Sequence, residues 1–560
     1  MKTSIYSIIA VSLLFFGGCK QDFLERAPSD LIDEDKVFTN LNNAEAFLNN
    51  AYREIPSLRY RGVFNLGSGA DESAYMTGET NSTLSFNRGD WNPVQFPLDW
   101  SWSAYYSSIR QINIFIRNYD RIPSEVGGQN FSDRRRRMYG EAHGLRAYYY
   151  FLLFTQWGAV PYLDEALLPG GNDNIYIPST SVGELIEKID MDLRVAEEYL
   201  TPRHSEAEFG RLTSVAVKAL RSRLYLYYAS ALFNPQEDVQ RWIQAASSAK
   251  SAIEFAEGNS YSLSLTNSGT RRPYERIFME MNNPEILWSS YSPYEGGGRD
   301  WNGWGGALAD YGWASEAPLQ DMVDAYEMTN GELPVVGYDV NEQQIVNPLS
   351  GYNPQNPYIN RDSRFYQTIL YHGAQWKGRT IDMSAPNGYY FDRNYRRTNY
   401  YWRKYMQEDY NLGTGSGFSP RRFILFRLSE LYLNYAEALN ETLSAPSQEV
   451  YDAIDIIRNR AGQPDLPPGL SKEQMRERIR RERRVELAME NHRFHDIRRW
   501  KIAEHVINGS VYGVHLQNGI FTYPKWGDRV FDATKHYLFP VPQSEIDKNR
   551  GTLSQNPNWE

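Results

Sequence analysis

At 560 residues, with 41% hydrophobic and 14% aromatic content, the chain holds enough apolar material for a large packed core, which excludes global disorder. Its formal net charge of −10 argues against nucleic acid as a partner, because that recognition works through clustered Lys and Arg that displace counterions.

At the N-terminus, Lys2, the apolar run Ile5 to Phe16 and the small pair Gly17-Gly18 have the charge, length and ending of an export signal over residues 1–18. The run is shorter than the roughly 18 to 20 residues that cross a bilayer as a helix, and no later segment approaches that length. Cys19 follows at once and is the single cysteine of the chain. Phe16-Gly17-Gly18-Cys19 resembles a bacterial lipobox, with Phe where Leu is commoner. Acylation accounts for both the number and the position of a thiol that has no disulfide partner. Two or three acyl chains, at on the order of 0.8 kcal/mol per buried methylene, hold a protein firmly on a membrane. Asp22 and Glu25 resemble the signal that sends such lipoproteins to the outer face of the outer membrane; an inward-facing lipoprotein is the alternative.

Beyond the anchor, Arg61 to Trp102 is rich in glycine, asparagine and aromatic residues and reads as loop. From Arg134 to Gln156, Met138, Ala142, Leu145, Tyr149 and Leu152 recur at steps of three and four, which predicts a helix with one buried face that ends at Trp157-Gly158. The run Arg134-Arg135-Arg136-Arg137 reads as its solvated start. Val182 to Tyr199 and Thr213 to Phe233 read as a helix pair, the second stopped by Asn234-Pro235. Between Gly258 and Arg421 glycine, proline, asparagine and aromatic residues dominate, and only Pro318 to Tyr326 reads as a short helix. Binding sites concentrate on such inserts when a rigid scaffold carries them. Leu428, Leu431, Tyr435 and Leu439 then mark a helix, and Ile454, Ile457 and Ala461 the next, closed by Gly462 and Pro464. Ser471 and Gln474 have capping-box spacing and open a third, predicted to run through Glu490. The expected architecture is mostly α, a degenerate tetratricopeptide-like helical-repeat scaffold. Its helices fall mainly within 40–257 and 421–505 and its loop-rich, ligand-side insert within about 258–420, all in one domain, 19–560.

A set of short phrases in fixed order resembles the SusD/RagB family along nearly all of the mature sequence. They include Asp22-Phe23-Leu24-Glu25 with Pro28, Leu145-Arg146-Ala147-Tyr148-Tyr149-Tyr150-Phe151 and Trp157-Gly158-Ala159-Val160-Pro161. Arg361-Asp362-Ser363-Arg364-Phe365, Asn434-Tyr435-Ala436-Glu437-Ala438 and Ile457-Arg458-Asn459-Arg460-Ala461-Gly462 follow. Arg493-Phe494-His495-Asp496-Ile497-Arg498-Arg499-Trp500 and Tyr537-Leu538-Phe539-Pro540-Val541-Pro542 complete the series. Glu490-Asn491-His492 departs from the family pattern, which often has glycine before the basic residue. The resemblance implies a helical scaffold with ligand-contacting loops on one face, seated on a SusC-like, TonB-dependent β-barrel. It names no ligand.

Glycan recognition needs flat apolar faces for the C–H side of a sugar ring and short polar groups for its hydroxyls. Trp91, Trp100 and Trp102 in the first loop region, and Trp301, Trp304, Tyr311 and Trp313 in the insert, offer such faces among glycines. Asp71, Glu72, Asn92, Arg299, Asp300 and Asn302 are the polar candidates, Asp71 because Gly69-Ala70-Asp71-Glu72 resembles a ligand-side loop of the family. The ligand-binding set is therefore expected at Asp71, Trp91, Asn92, Arg299, Trp301, Trp304, Tyr311 and Trp313. No Gly-x-Ser-x-Gly elbow or His-Glu-x-x-His motif is present, and Gly413-Thr414-Gly415-Ser416-Gly417 lacks the lysine of a phosphate loop. Glu490, His492, His495 and Asp496 have helical spacing for a metal but are read as scaffold. The sequence thus points away from an enzyme and from any cofactor or metal. Glycan cargo, peptide cargo on the same fold and a surface glycoside hydrolase stay as three competing functions.

Overall fold

A computed structural model describes residues 34–56, 65–76, 82–167, 175–290, 301–384, 389, 398–417 and 422–559. Ten helices make the frame: α1 Leu41–Asn49, α2 Asp99–Arg117, α3 Ser132–Trp157, α4 Val182–Tyr199, α5 Ser214–Ala229, α6 Val239–Gly258, α7 Leu428–Thr442, α8 Gln448–Arg460, α9 Lys472–Glu486 and α10 His492–Arg499. From α2 to α8 each packs on the next, and α9 packs on α7 and α8. The α6–α7 contact joins the two halves of the frame across the whole 259–427 insert. Every sheet among the described residues has only two strands, so the helices carry the architecture.

Local chemistry sets the helix ends. Ser181 accepts the Glu184 amide at the start of α4, Thr213 accepts that of Ala216 at the start of α5, and Asp238 accepts that of Gln240 at the start of α6. Ser471 and Gln474 form the full reciprocal capping box before α9. Gly158, at φ 74, closes α3 in a conformation that a residue with a Cβ adopts only under strain.

Tertiary contacts change several expectations. α3 is not one-sided: every residue from Gly140 to Gly158 is buried, as befits a helix at the centre of a large domain. Its polar groups are met by neighbours, Glu141 by Arg211 at 2.9 Å, and Arg146 by both oxygens of Asp192 at 2.8 and 2.7 Å. The arginine run at the head of α3 is paired rather than merely solvated, since Arg134 and Arg137 share Glu45 of α1 and Arg137 also meets Glu208. α5 stops at Ala229, short of Phe233, because Leu232 donates its amide to Arg499 instead of to its own helix. α9 stops at Glu486, and the left-handed residues Met489 and Asn491 turn the chain into α10. The insert holds the predicted helix as Gln320–Ala325, together with others too short for a periodic pattern, such as Pro273–Met279 and Ser363–Thr368.

Buried charge bolts the insert to α8 and α9. Arg427 donates to Glu285 at 3.0 Å and to both oxygens of Glu490 at 2.8 Å. Arg364 meets Asp362, Glu482 and Glu486, and Arg460 meets Glu285 at 2.7 Å. The side chains of Arg364, Arg427, Arg460, Glu285 and Glu486 are each at most 1% exposed, so the network is internal. It absorbs the charged residues of the C-terminal phrases as scaffold, including Glu490, while Asp496 is taken by Arg483 and Arg499.

Candidate functional site

The stretch Trp301–Ser315 folds back on itself. A helical turn, Trp301–Gly305, is followed by a tighter one at Leu308–Asp310. The returning chain then donates the amides of Trp313 to Gly303 O at 2.7 Å, of Ala314 to Gly306 O at 2.9 Å and of Ser315 to Trp304 O at 2.7 Å. Such close backbone approach needs glycine: a Cβ on Gly306 would lie 2.0 Å from the Asn302 carbonyl oxygen, and one on Gly312 2.3 Å from the Gly306 backbone. The fold-back holds Tyr311 and Ala314 at φ 63 and 46, a conformation that side-chain-bearing residues adopt at a cost of about 1 kcal/mol each.

Two polar anchors fix this loop to the rest of the insert. Asn302 exchanges hydrogen bonds with the Gln407 backbone, its Nδ2 to the carbonyl at 2.8 Å and the Gln407 amide to its Oδ1 at 3.0 Å. Buried Asp310 accepts from Trp376 Nε1 and Tyr389 Oη, both at 3.1 Å, and pairs with Arg379.

Two rings are left in solvent. Tyr311 is 72% and Trp313 47% exposed, and Trp313 is braced edge-on by Trp304 with centroids 4.6 Å apart and planes at 68°. Tyr311 rests on the 411–417 turn, where a Cβ on Gly413 would come within 3.0 Å of the ring. That turn is built by Asn411, whose Oδ1 accepts the amides of Gly413 and Thr414, and it leaves the Thr414 and Ser416 hydroxyls exposed beside Tyr311. Half of the Arg379 side chain is also exposed. The arrangement is an aromatic ledge with a rim of hydroxyls and one guanidinium, suited to stacking and hydrogen bonding.

The sequence candidates divide sharply. Trp304, Tyr311 and Trp313 come together. Trp301, in the same loop, is only 5% exposed, with Gly305 against its indole, and serves as the loop's internal wedge. Asp71 is a correction: it is buried, paired with Arg493 at 2.7 and 2.8 Å and with Arg484 at 3.0 Å, so no ligand reaches it. Burial alone would raise its pKa, but Arg484 and Arg493 outweigh burial and hold the carboxyl well below the usual range. Glu72 beside it goes the other way, pushed up to about 8 by burial and by the Asp71 charge.

Trp91 is a second correction. It is 3% exposed, stacked on His536 with centroids 4.8 Å apart and covered by Phe539 and Trp559 from the C-terminal segment. Asn92 is exposed, but its Oδ1 accepts the amides of Val94 and Gln95 and shapes a turn away from the ledge loop. Trp102 is buried against Trp157. The first loop region meets the insert through Ser73–Tyr75, which pairs antiparallel with Glu316–Pro318, and through the Asn65 amide, which donates to Glu316 at 3.1 Å. Arg299, Asp300 and Cys19 lie outside the described residues. Arg379, Thr414 and Ser416 were missed; the glycines flanking Thr414 and Ser416 were the available signal.

The SusD family model matches residues 277–559, and a model described as starch-binding associating with outer membrane matches residues 22–226. A SusD-like protein of Formosa agariphila, P2, is 24% identical, covering 98% of this chain and 98% of that protein. A crystal structure of a SusD-like protein from Bacteroides fragilis is 28% identical with a TM-score of 0.77, covering 95% of this chain and 99% of that one. A SusD-like carbohydrate binding protein from the same species is 23% identical with a TM-score of 0.73, covering 91% and 98%.

Proposed function

Because the chain belongs to the SusD family, we propose that it is a non-catalytic glycan receptor, anchored through lipid on Cys19 at the outer face of the outer membrane. In this reading it captures oligo- or polysaccharide and delivers it to a SusC-like, TonB-dependent transporter. The observation that carries the reading is the pair of exposed rings, Tyr311 and Trp313, on a loop closed by backbone hydrogen bonds, beside the exposed Thr414 and Ser416, whose hydroxyls bond each other at 2.8 Å. A solvent-exposed indole fixed by backbone bonds and braced by a second indole has little to gain from folding and much from covering the C–H face of a sugar. The family's carbohydrate-binding relative supports the same ligand class. Stacks worth about 0.5 to 1.5 kcal/mol each beyond area burial, with a few hydrogen bonds, give micromolar to millimolar affinity, enough for capture before transport.

Calorimetric titration of the mature protein against a panel of neutral and acidic polysaccharides is the test. Binding of at least one polymer, weakened about tenfold or more by Trp313→Ala, is expected. Binding of a peptide digest with no response to any polymer would transfer the site to peptide cargo, and release of shorter sugars from a bound polymer would make the protein a hydrolase. The delivery step predicts that a TonB-dependent barrel co-purifies from solubilised outer membranes, and that Cys19→Ser moves the receptor out of the membrane fraction.

A further inference from the structure

A small hairpin, Gln375–Trp376 paired with Arg379–Thr380, joins the ledge loop to the hydroxyl-bearing turn beside it. Lys377 at φ 53 and Gly378 at φ 73 make its two-residue turn, the left-handed pair that so tight an antiparallel connection requires. The cross-strand partners Trp376 and Arg379 both donate to buried Asp310, the residue just before Tyr311. On the other side, Lys377 donates its ammonium to the Tyr410 carbonyl and its amide to Glu408 at 3.0 Å, directly ahead of the 411–417 turn on which Tyr311 rests. The hairpin is thus pinned to both parts of the site and brings two cations to its rim.

Both cations keep donors that the fold does not use. Lys377 gives one ammonium N–H to a carbonyl, and no carboxylate is within ion-pair distance of its Nζ among the described residues. Arg379 reaches Asp310 through Nη2, with the Ala309 carbonyl farther off at 3.4 Å. Its Nε and Nη1 have no acceptor among the described residues, and the side chain is 49% exposed. The carboxylates nearby are occupied: Asp310 accepts from Trp376, Tyr389 and Arg379, and Glu408 from the Lys377 amide and from Arg403 at 3.4 Å. Asp409, exposed next to Glu408, opposes the two cations. A neutral hydroxyl meets such donors weakly, whereas a carboxylate or sulfate makes charge-assisted bonds roughly twice as strong.

We propose, resting on the glycan reading of the ledge, that its cargo is an anionic saccharide whose carboxylate or sulfate is received by Arg379 and Lys377 while Tyr311 and Trp313 cover the adjoining sugar faces. Arg379 is the main selector, because the pair with Asp310 fixes its orientation while half of the side chain stays in solvent. Lys377 adds a second positive charge from the hairpin tip.

Mature protein would be titrated calorimetrically at about 50 mM salt, where surface charge is little screened. The ligands are polygalacturonate, alginate, hyaluronan and a carrageenan, each beside its carboxyl-reduced or desulfated neutral counterpart. At least one acidic polymer is expected to bind about tenfold or more tightly than its counterpart, with the uronate and sulfate arms telling which anion is taken. That preference should fall to about threefold or less in Arg379→Gln, and Asp409→Asn should tighten the acidic polymer about twofold to threefold while leaving the neutral one unchanged. Neutral counterparts that bind as tightly as the acidic polymers, both weakened by Trp313→Ala, overturn the proposal and leave the ledge standing. A wild-type preference in both Arg379→Gln and Lys377→Gln overturns it as well. Full affinity for the acidic polymer in Trp313→Ala and Tyr311→Ala overturns the ledge reading itself, and no binding by any polymer overturns both. Circular dichroism melts that match wild type separate lost binding from lost fold, and Asp409→Asn, which breaks no ion pair among the described residues, keeps the test open if Arg379→Gln melts early.

Discussion

Tyr311 allows binding and local stability to be moved in different directions. Its ring is 72% exposed while its backbone sits at φ 63, where a residue with a Cβ is disfavoured by about 1 kcal/mol relative to glycine. Tyr311→Ala removes the ring and keeps the backbone cost; Tyr311→Gly removes both. Each variant should lose one stack, about 0.5 to 1.5 kcal/mol plus the area the ring would bury, for a total near a tenfold rise in Kd by calorimetry. The loop should respond differently. The amides of Trp313, Ala314 and Ser315, which close the fold-back onto Gly303, Gly306 and Trp304, report its local opening by hydrogen exchange. A difference of about 1 kcal/mol makes these amides about fivefold better protected in the glycine variant than in the alanine variant. Wild-type affinity in Tyr311→Ala would refute the binding role, and equal protection in the two variants would refute the strain.

Glu72 predicts a pH signature. Buried beside Asp71, it keeps its proton up to about 8 against a usual value of 4.5, so its contribution to folding is complete below 4.5 and is lost as pH rises through about 8. Glu72→Gln, which mimics the protonated acid, should come within about 1 kcal/mol of wild type in melts at about pH 5 and exceed it by up to roughly 4 kcal/mol at about pH 8.5; parallel pH profiles would count against the assignment. Arg427→Met leaves Glu285, Glu486 and Glu490 short of a shared cation in the interior, and a loss of about 3 to 5 kcal/mol in denaturant titration is expected. A loss under about 1 kcal/mol would mean that Lys404, Arg364 and Arg460 suffice without it.

How much was legible in the sequence depended on how far apart the deciding residues lie. The bounds of α4, Val182 to Tyr199, were readable because the signals that set them, such as the Ser181 cap, lie at the helix itself. The capping box of α9 was readable for the same reason. Asp71 was misread because the arginines that bury its charge, Arg484 and Arg493, stand more than 400 residues along the chain. Trp91 was misread in the same way, since His536 and Trp559 cover it from the far C-terminus. For Tyr311 and Trp313 the local signal was the glycines at 306 and 312, which let the backbone close on itself, while the same loop buries Trp301. Arg379 was not legible, since its pairing with Asp310 joins residues about 70 positions apart, although its hairpin with Gln375–Trp376 is local.

Charge works beside apolar packing in securing the insert, whose Trp288, Met322, Phe365, Leu370 and Trp402 share one core with the frame helices. Its described strands are short and paired only two by two, and the pair Ile286–Ser289 and Ile424–Arg427 packs on α5. Arg364, Lys404, Arg427 and Glu285 from the insert also interlock with Arg460, Glu482, Glu486 and Glu490 of the frame, and the alternation of sign penalises any slipped register by leaving a buried charge unmatched. From Lys404 the constraint runs along the chain to Gln407, through Gln407 to Asn302, and from Asn302 into the loop that carries Trp313. Rings mounted on such a path are ordered before a ligand arrives, which lowers the entropy cost of binding and makes even two weak stacks useful. In the proposed reading, substitutions on the ledge rim would alter which ligand is held, while the charges that seat the insert answer to the frame.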